Sequence, residues 1–420
     1  MVLSLLSHIE RRVYQMPKEV ATLPGGVRIS DIISVSVLAK VYPPAKVNEV
    51  LAESGRRSIR ERTLPATLMV YYVIVLALYM QISYEEILSV VVHAFNWFDK
   101  RAKIAIPAKS SISEARTRLG QEPVRLLAEK MIRPIATKAT RGAFYRDWRL
   151  VSLDGSTMNV GDTNLNEASF GRPGVSRGLG SAFPQIRFCS LLENGTHILF
   201  GTKVGGYNVS EIKLAHDVLL NLTTDMLCLA DRGFFGYDLW TLALAQGTAL
   251  LWRVKNLLIL PDEEHLADGS YLSTIYPSDK DRAQKRNGVR VRVVEYRLQT
   301  DDAPDEYIDT VYRLLTSILD PEMAPALELA RLYAERWEIE TTLDEFKTHL
   351  RGRNIVMRSK TPEGVLQEFW GFLLAHNAVR TIMHDAALIS DIEPNRLSFV
   401  HSLETVKRSL PLYVLTPPSG

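Results

Sequence analysis

Residues 225–255 read DMLCLADRGFFGYDLWTLALAQGTALLWRVK, and this stretch decides the fold class. Asp225–Ala230 is an apolar run of strand length that stops at Asp231-Arg232-Gly233, a turn sequence. Tyr237–Gln246 has helical periodicity and is closed by Gly247, the residue type that most easily turns left-handed after a helix. Thr248–Lys255 then reads as a further strand. Strand, helix and strand in such close succession place the chain among α/β proteins.

Moving outward, Arg149–Asp154 (RLVSLD) is a short strand ending in Asp-Gly. A loop passes through Gly171-Arg172-Pro173-Gly174, and a hairpin follows: Gln185–Leu192, a turn at Glu193-Asn194-Gly195, and His197–Lys203. Ser210–Leu222 is a helix with Ser210 as its cap. The order is thus β-β-β-α-β-α-β, which is that of the ribonuclease H-like fold. In that fold the first and fourth strands lie side by side at the centre of the sheet. Asp154 and Asp231 are then delivered to one edge, where sites in α/β sheets form. Taken singly, each is an ordinary turn residue, since Asp before Gly is a frequent turn pair.

Beyond this core, residues 256–320 alternate with period two and carry an Asn287-Gly288 turn, which predicts a β-rich insertion. A long helix is expected after Pro321 and Pro325, running to Arg351-Gly352, and a second from about Pro362 to Ala387. The expected organisation is a helical region over 1–145 and the first part of the core over 146–255. The insertion covers 256–320, the last core helices 321–388, and a tail 389–420.

The 420 residues carry a net charge of only +2, but the charge is unevenly placed. Residues 1–150 hold 23 basic against 13 acidic groups, so the first third is basic and the remainder acidic. That asymmetry points to a polyanion docked at the N-terminal end. Two capping boxes, Ser83–Glu86 and Ser111–Glu114, open helices there. The second helix carries Arg116 and Arg118, with Lys109 just before it, and suits a DNA groove. A solvated amphipathic helix accounts for the same residues equally well. Leu68–Met80 is uninterrupted apolar, but thirteen residues span only about 20 Å as helix, short of a bilayer, so a buried core helix is expected. Two cysteines, Cys189 and Cys228, exclude a disulfide framework and a zinc spacing. Met1–Ile9 shows no signal-peptide pattern.

The expected helix after Pro325 holds a chemical stripe. At about 100° per residue, Tyr333, Arg336, Glu340 and Lys347 fall within roughly 60° of one another. Asp344 and Arg351 join the same face. Arg336 and Glu340 are i,i+4, so a surface ion pair is the plain explanation. A mixed stripe of cations around a carboxylate also suits a phosphodiester, with Mg²⁺ pairs held by carboxylates stabilising the entering and leaving oxygens.

Tyr333, two residues, Arg336, three residues, Glu340, six residues, Lys347 resembles the signature of the DDE transposases of bacterial insertion-sequence family four. SLDGSTMNV around Asp154, the FPQIRFCSLLENGTH hairpin and LADRGFFGYDLW around Asp231 extend the likeness. The stretch LPGGVRISDIISVSVLAKVYPPAKVNEVL is similar to that family's N-terminal domain. The resemblance covers about Leu23 to Phe399. It implies a ribonuclease H-like core with Asp154, Asp231 and Glu340 as catalytic acids holding two Mg²⁺ ions, for which Mn²⁺ can substitute. It further implies that Tyr333, Arg336 and Lys347 contact DNA near the cleaved end. The substrates implied are terminal inverted repeats and target DNA, held by a homodimer, with no membrane partner. Trp252, Tyr307 and Tyr312 become candidates for holding a flipped or hairpinned end.

A cytoplasmic, nucleoid-associated bacterial protein is the matching expectation. Many relatives continue into a basic C-terminal tail, where this sequence ends in Leu410–Gly420. The competing readings are a transposase-derived DNA-binding protein without catalysis, and a metal-dependent nuclease of the same core. The nuclease reading accounts for the acids but not for the Tyr333–Lys347 stripe.

Overall fold

The computed structural model describes residues 35–58, 64–98, 107–174, 183–297, 311–350 and 356–412. The chain begins with helices α1 (Val35–Val41), α2 (Pro44–Glu53), α3 (Ala66–Leu78), α4 (Tyr84–Phe98), α5 (Lys109–Leu119) and α6 (Glu122–Met131). Helix α3 is rich in β-branched and aromatic residues, so propensity alone would not hold it. Burial does: every residue from Leu68 to Leu78 is buried. Among the described residues no helix is long and apolar enough to cross a membrane. The Ser83–Glu86 capping box forms, with each partner receiving the other's N–H. The Ser111–Glu114 box does not, because α5 starts earlier, at Lys109 with Ala108 as its cap residue.

A short β1 (Phe144–Tyr145) leads into β2 (Trp148–Asn159), α7 (Asn164–Phe170), β3 (Gln185–Glu193), β4 (Ile198–Gly206) and α8 (Glu211–Leu219). Then come β5 (Met226–Ala230), α9 (Tyr237–Ala245), β6 (Ala249–Val254), β7 (Glu264–His265), β8 (Tyr271–Ile275), α10 (Asp279–Ala283), β9 (Val289–Arg297) and β10 (Val311–Thr316). One sheet carries them in the order β4-β3-β2-β5-β6-β10-β9-β8-β7. Strands β2, β5 and β6 are mutually parallel, while β3, β4 and the strands beyond β6 are antiparallel to their neighbours. The β-rich stretch therefore prolongs the same sheet through β10 and does not form a separate one.

Alternate residues face opposite sides of a strand. On one side Met226, Cys228 and Ala230 join Val151 and Leu153 in a core shared with helices α2 to α6. On the other, Leu227 and Leu229 join Leu150 in a smaller core. The second side is covered by α11 (Ala326–Ala334), and the first by α13 (Pro362–Ser390). Between them lies α12 (Trp337–Asp344), continued by a wide π-helical turn over Glu345–Leu350. A last helix, α14, spans Phe399–Leu412.

The helical N-terminal region is welded to the rest. Gly371 of α13 lies so close to α3 that an added Cβ would stand 2.7 Å from the Val73 carbonyl oxygen. The Tyr42 hydroxyl donates to the Leu374 carbonyl (2.7 Å) and accepts from Asn377 (2.8 Å). Arg116 is buried in the same seam.

Candidate active site

The parallel ladder between β2 and β5 ends at the pair Leu153 and Ala230. The next residues are Asp154 and Asp231, so both carboxylates leave adjacent strands at one edge. By alternation both share the side of Leu150, Leu227 and Leu229. Asp154 does not end its strand, as the Asp-Gly pair had implied. Strand β2 continues to Asn159 because β3 keeps pairing with it.

The single long helix expected from Pro325 to Arg351 is instead broken. Glu335 and Arg336 N–H groups bond three residues back, to Leu332 and Tyr333, and this tight turn separates α11 from α12. The physical cause is packing: α11 buries Leu329, Ala330 and Tyr333 in one core, whereas Ile339, Leu343 and Phe346 enter the other. Arg336 sits at the crossing. Its Nη1 lies 3.9 Å from Asp154 Oδ2, and its Nη2 donates to Glu340 Oε1 at 3.0 Å. Lys347, in the π-helical turn, donates to Ser156 Oγ at 2.7 Å, two residues past Asp154. Tyr333 is buried, and its hydroxyl donates to the Ala230 carbonyl at 3.2 Å. Asp231 lies 4.0 Å from Arg253 Nη1.

Burial raises the Asp154 carboxyl to about 6, opposed by the Gly155 N–H bond and the Arg336 charge, with Glu211 and Glu340 adding repulsion. A cation close to Asp154 relieves that desolvation. Among the described residues no three acidic, histidine or cysteine side chains converge as a finished metal cage. The donor chemistry nevertheless suits a hard divalent ion, since the groups are carboxylates and a guanidinium already bridges Asp154 and Glu340.

Two side chains escaped the sequence reading. Glu211, the first residue of α8, has its carboxyl carbon 3.2 Å from where a Cβ on Gly155 would lie. Only the third dimension reveals it. Trp337 is 61% exposed and stacks on the Arg336 guanidinium at 5.4 Å, presenting an aromatic face beside the acids. Its place next to Arg336 in the signature was a visible signal.

Other expectations are corrected. Arg116 does not face solvent: it is 8% exposed and donates to Gln367 (2.9 Å), Ser359 (3.1 Å) and the Tyr84 hydroxyl (3.3 Å). Arg118, on the outer face of α5, is exposed. Trp252 is fully buried and packs edge-on against Trp240. Tyr312 stacks on Tyr296 beneath Arg253, and Tyr307 lies outside the described residues. Asp344, on the same stripe, is exposed.

The family model described as "Transposase DDE domain" matches residues 147–378, and "Insertion element 4 transposase N-terminal" matches residues 32–129. The chain is 31% identical over 385 residues to "Transposase InsG for insertion sequence element IS4" of Escherichia coli (strain K12), covering 89% of this chain and 82% of that protein. It is 24% identical over 294 residues to "Putative transposase InsZ" of the same organism, covering 64% of this chain and 93% of the relative. The chain belongs to the IS4 family of DDE transposases. Domains of this family generally use divalent metal ions, and DNA is the partner that membership implies.

Proposed function

We propose that this transposase binds the terminal inverted repeats of its element, cleaves the ends and joins them to target DNA, with Asp154, Asp231 and Glu340 as its acids. The observation that carries the reading is the bridge of Arg336 between Asp154 and Glu340, beside the strand pair that delivers Asp231. The sheet order β4-β3-β2-β5-β6 supports a ribonuclease H-like core. Asp154, Asp231 and Glu340 would hold two divalent ions, Mg²⁺ or Mn²⁺, which when bound stabilise the entering and leaving oxygens of an in-line displacement at phosphorus.

The remaining work falls to the chain's own side chains. Arg336 presents a planar fork suited to two phosphate oxygens, and Lys347 a point charge held at Ser156, two residues past Asp154. Trp337 offers a face for an unstacked base. Arg118 and the basic N-terminal region supply the salt-dependent grip on duplex DNA.

Replacing Asp154, Asp231 or Glu340 with Ala should abolish cleavage and joining of a duplex bearing the inverted repeat that flanks the coding sequence. Binding of that duplex should persist. Cleavage retained in Asp231→Ala would overturn the assignment.

A further inference from the structure

The turn that joins β3 to β4 is buried, although hairpin turns ordinarily lie at the surface. Glu193, Asn194 and Thr196 are 0% exposed and His197 is 3% exposed. Two of its residues take left-handed backbone angles: Gly195 at φ 82 and His197 at φ 61. A Cβ at Gly195 would come within 3.0 Å of the Ala143 nitrogen, so only glycine fits there.

The polar groups of this turn reach several different elements. Glu193 accepts the Ile135 and Ala136 N–H groups and the Thr196 hydroxyl, which fixes the base of the turn. Asn194 accepts from the Ser152 hydroxyl at 2.9 Å, two residues before Asp154, and donates to the Glu335 carbonyl at 3.0 Å. Gly195 N–H donates to Glu338 Oε2 at 2.7 Å. His197 Nδ1 accepts from Arg380 of α13 and lies 3.5 Å from Glu345 Oε2, and Glu345 is itself ion-paired with Arg380.

We propose that the turn Glu193–His197 is a positioning clamp for Glu340, fixing the signature helix against β2 so that Glu340 faces Asp154. The clamp rests on the reading of Glu340 as a catalytic acid. Its grips fall on both sides of that residue, at Glu335 and Glu338 before it and at Glu345 after it. Glu340 itself is held only by Arg336 among the hydrogen bonds of the described residues. Asn194 supplies the reference: one side chain touches both the strand of Asp154 and the tight turn that leads into the helix of Glu340. Asn194 and Glu338 therefore act through the placement of Glu340 and are positioning residues.

The test uses the full chain, the inverted-repeat duplex and Mg²⁺ alone as the metal probe. Wild type and Glu340→Ala come first: if Glu340→Ala still cleaves, the acid assignment fails, and the clamp is then judged on exchange alone. Asn194→Ala and Glu338→Ala should raise the Mg²⁺ needed for half-maximal cleavage by about 10- to 100-fold, as for other groups that orient metal ligands. Without metal, amide hydrogen exchange of residues 337–344 should speed up in both variants by more than it does in the rest of the chain, while duplex affinity stays near wild type. Glu338→Gln keeps an oxygen for the Gly195 N–H and should restore the Mg²⁺ requirement. An unchanged Mg²⁺ requirement and unchanged exchange in both Ala variants would overturn the clamp. So would a uniform fall in stability with normal activity per folded molecule, which would make the turn merely structural.

Discussion

The hydroxyl of Tyr333 donates to the carbonyl of Ala230, the residue immediately before Asp231. A signature residue is thus spent inside the protein, on the strand end that presents Asp231, one of the three proposed catalytic acids. Tyr333→Phe should cost about 0.5–1.5 kcal/mol of stability, the usual net value of such a bond. Cleavage should slow as the Asp231 strand end loosens, and duplex affinity should be unchanged. Urea unfolding alongside a duplex-binding titration checks both halves; weaker DNA binding at unchanged stability would return Tyr333 to contact with DNA near the cleaved end.

Arg116 and Arg118 are two residues apart and should behave differently. Arg116→Ala leaves Gln367 and Ser359 short of a buried charged donor and should destabilise the fold by about 2–3 kcal/mol. Its duplex binding should keep the wild-type salt dependence. Arg118→Ala should leave stability alone and lower the salt slope by about one phosphate contact. Binding measured between low and moderate salt distinguishes the two.

The buried cluster below the signature helix makes stability depend on pH from both sides. Desolvation, helped by the Arg380 charge, lowers the His197 imidazole from 6.5 to about 4. The unfolded chain therefore takes up a proton below about 6.5 that the folded one refuses, and stability is lost as pH falls through this window. Desolvation raises Glu338 from 4.5 to about 8, so the folded carboxyl keeps a proton that the unfolded one releases, and stability is lost as pH rises. The two oppose each other between about 4.5 and 6.5. His197→Asn, which tolerates the left-handed backbone, should gain on wild type by on the order of 2–3 kcal/mol between pH 7 and pH 4.5. Glu338→Gln should gain between pH 5 and pH 8. Parallel wild-type and variant curves would contradict both assignments.

A fragment of residues 1–150 should not fold alone. Helix α3 is buried along its length, and part of its cover is α13, more than two hundred residues away. Expression of the fragment should yield aggregate, with little of the thermal cooperativity of the full chain. A smaller version of the same test is Gly371→Ala, whose methyl meets the Val73 carbonyl and should cost about 1–3 kcal/mol. A soluble, cooperatively melting fragment would show that the shared core is dispensable.

Much of the sheet was legible because its signals are local. The apolar run Met226–Ala230 and the Glu193-Asn194-Gly195 turn each carry their own period or turn chemistry. The end of β5 followed, and with it the place of Asp231, whereas β2 runs on past Asp154 to Asn159. What local pattern could not show was competition between cores. The stripe from Tyr333 to Lys347 reads as one helix at a constant angle, yet its two halves are drawn to opposite sides of the sheet, and the tight turn at Glu335-Arg336 results. Arg116 was misread for a similar reason: an arginine on a short polar helix looks exposed until Gln367 and Ser359 arrive from far along the chain. Glu211 lay outside any motif, and only the turn of α8 onto β3 brings it to Gly155.

The seam where Arg116 meets Gln367 and Gly371 meets Val73 sets a rule for anyone who would re-target this protein. Grafting the helical region of a relative onto this catalytic core is not an exchange of modules, because the graft would inherit half an interior. A working chimera must carry over the facing side of α13 with α3 and α5, or else screen that surface for substitutions that refill it.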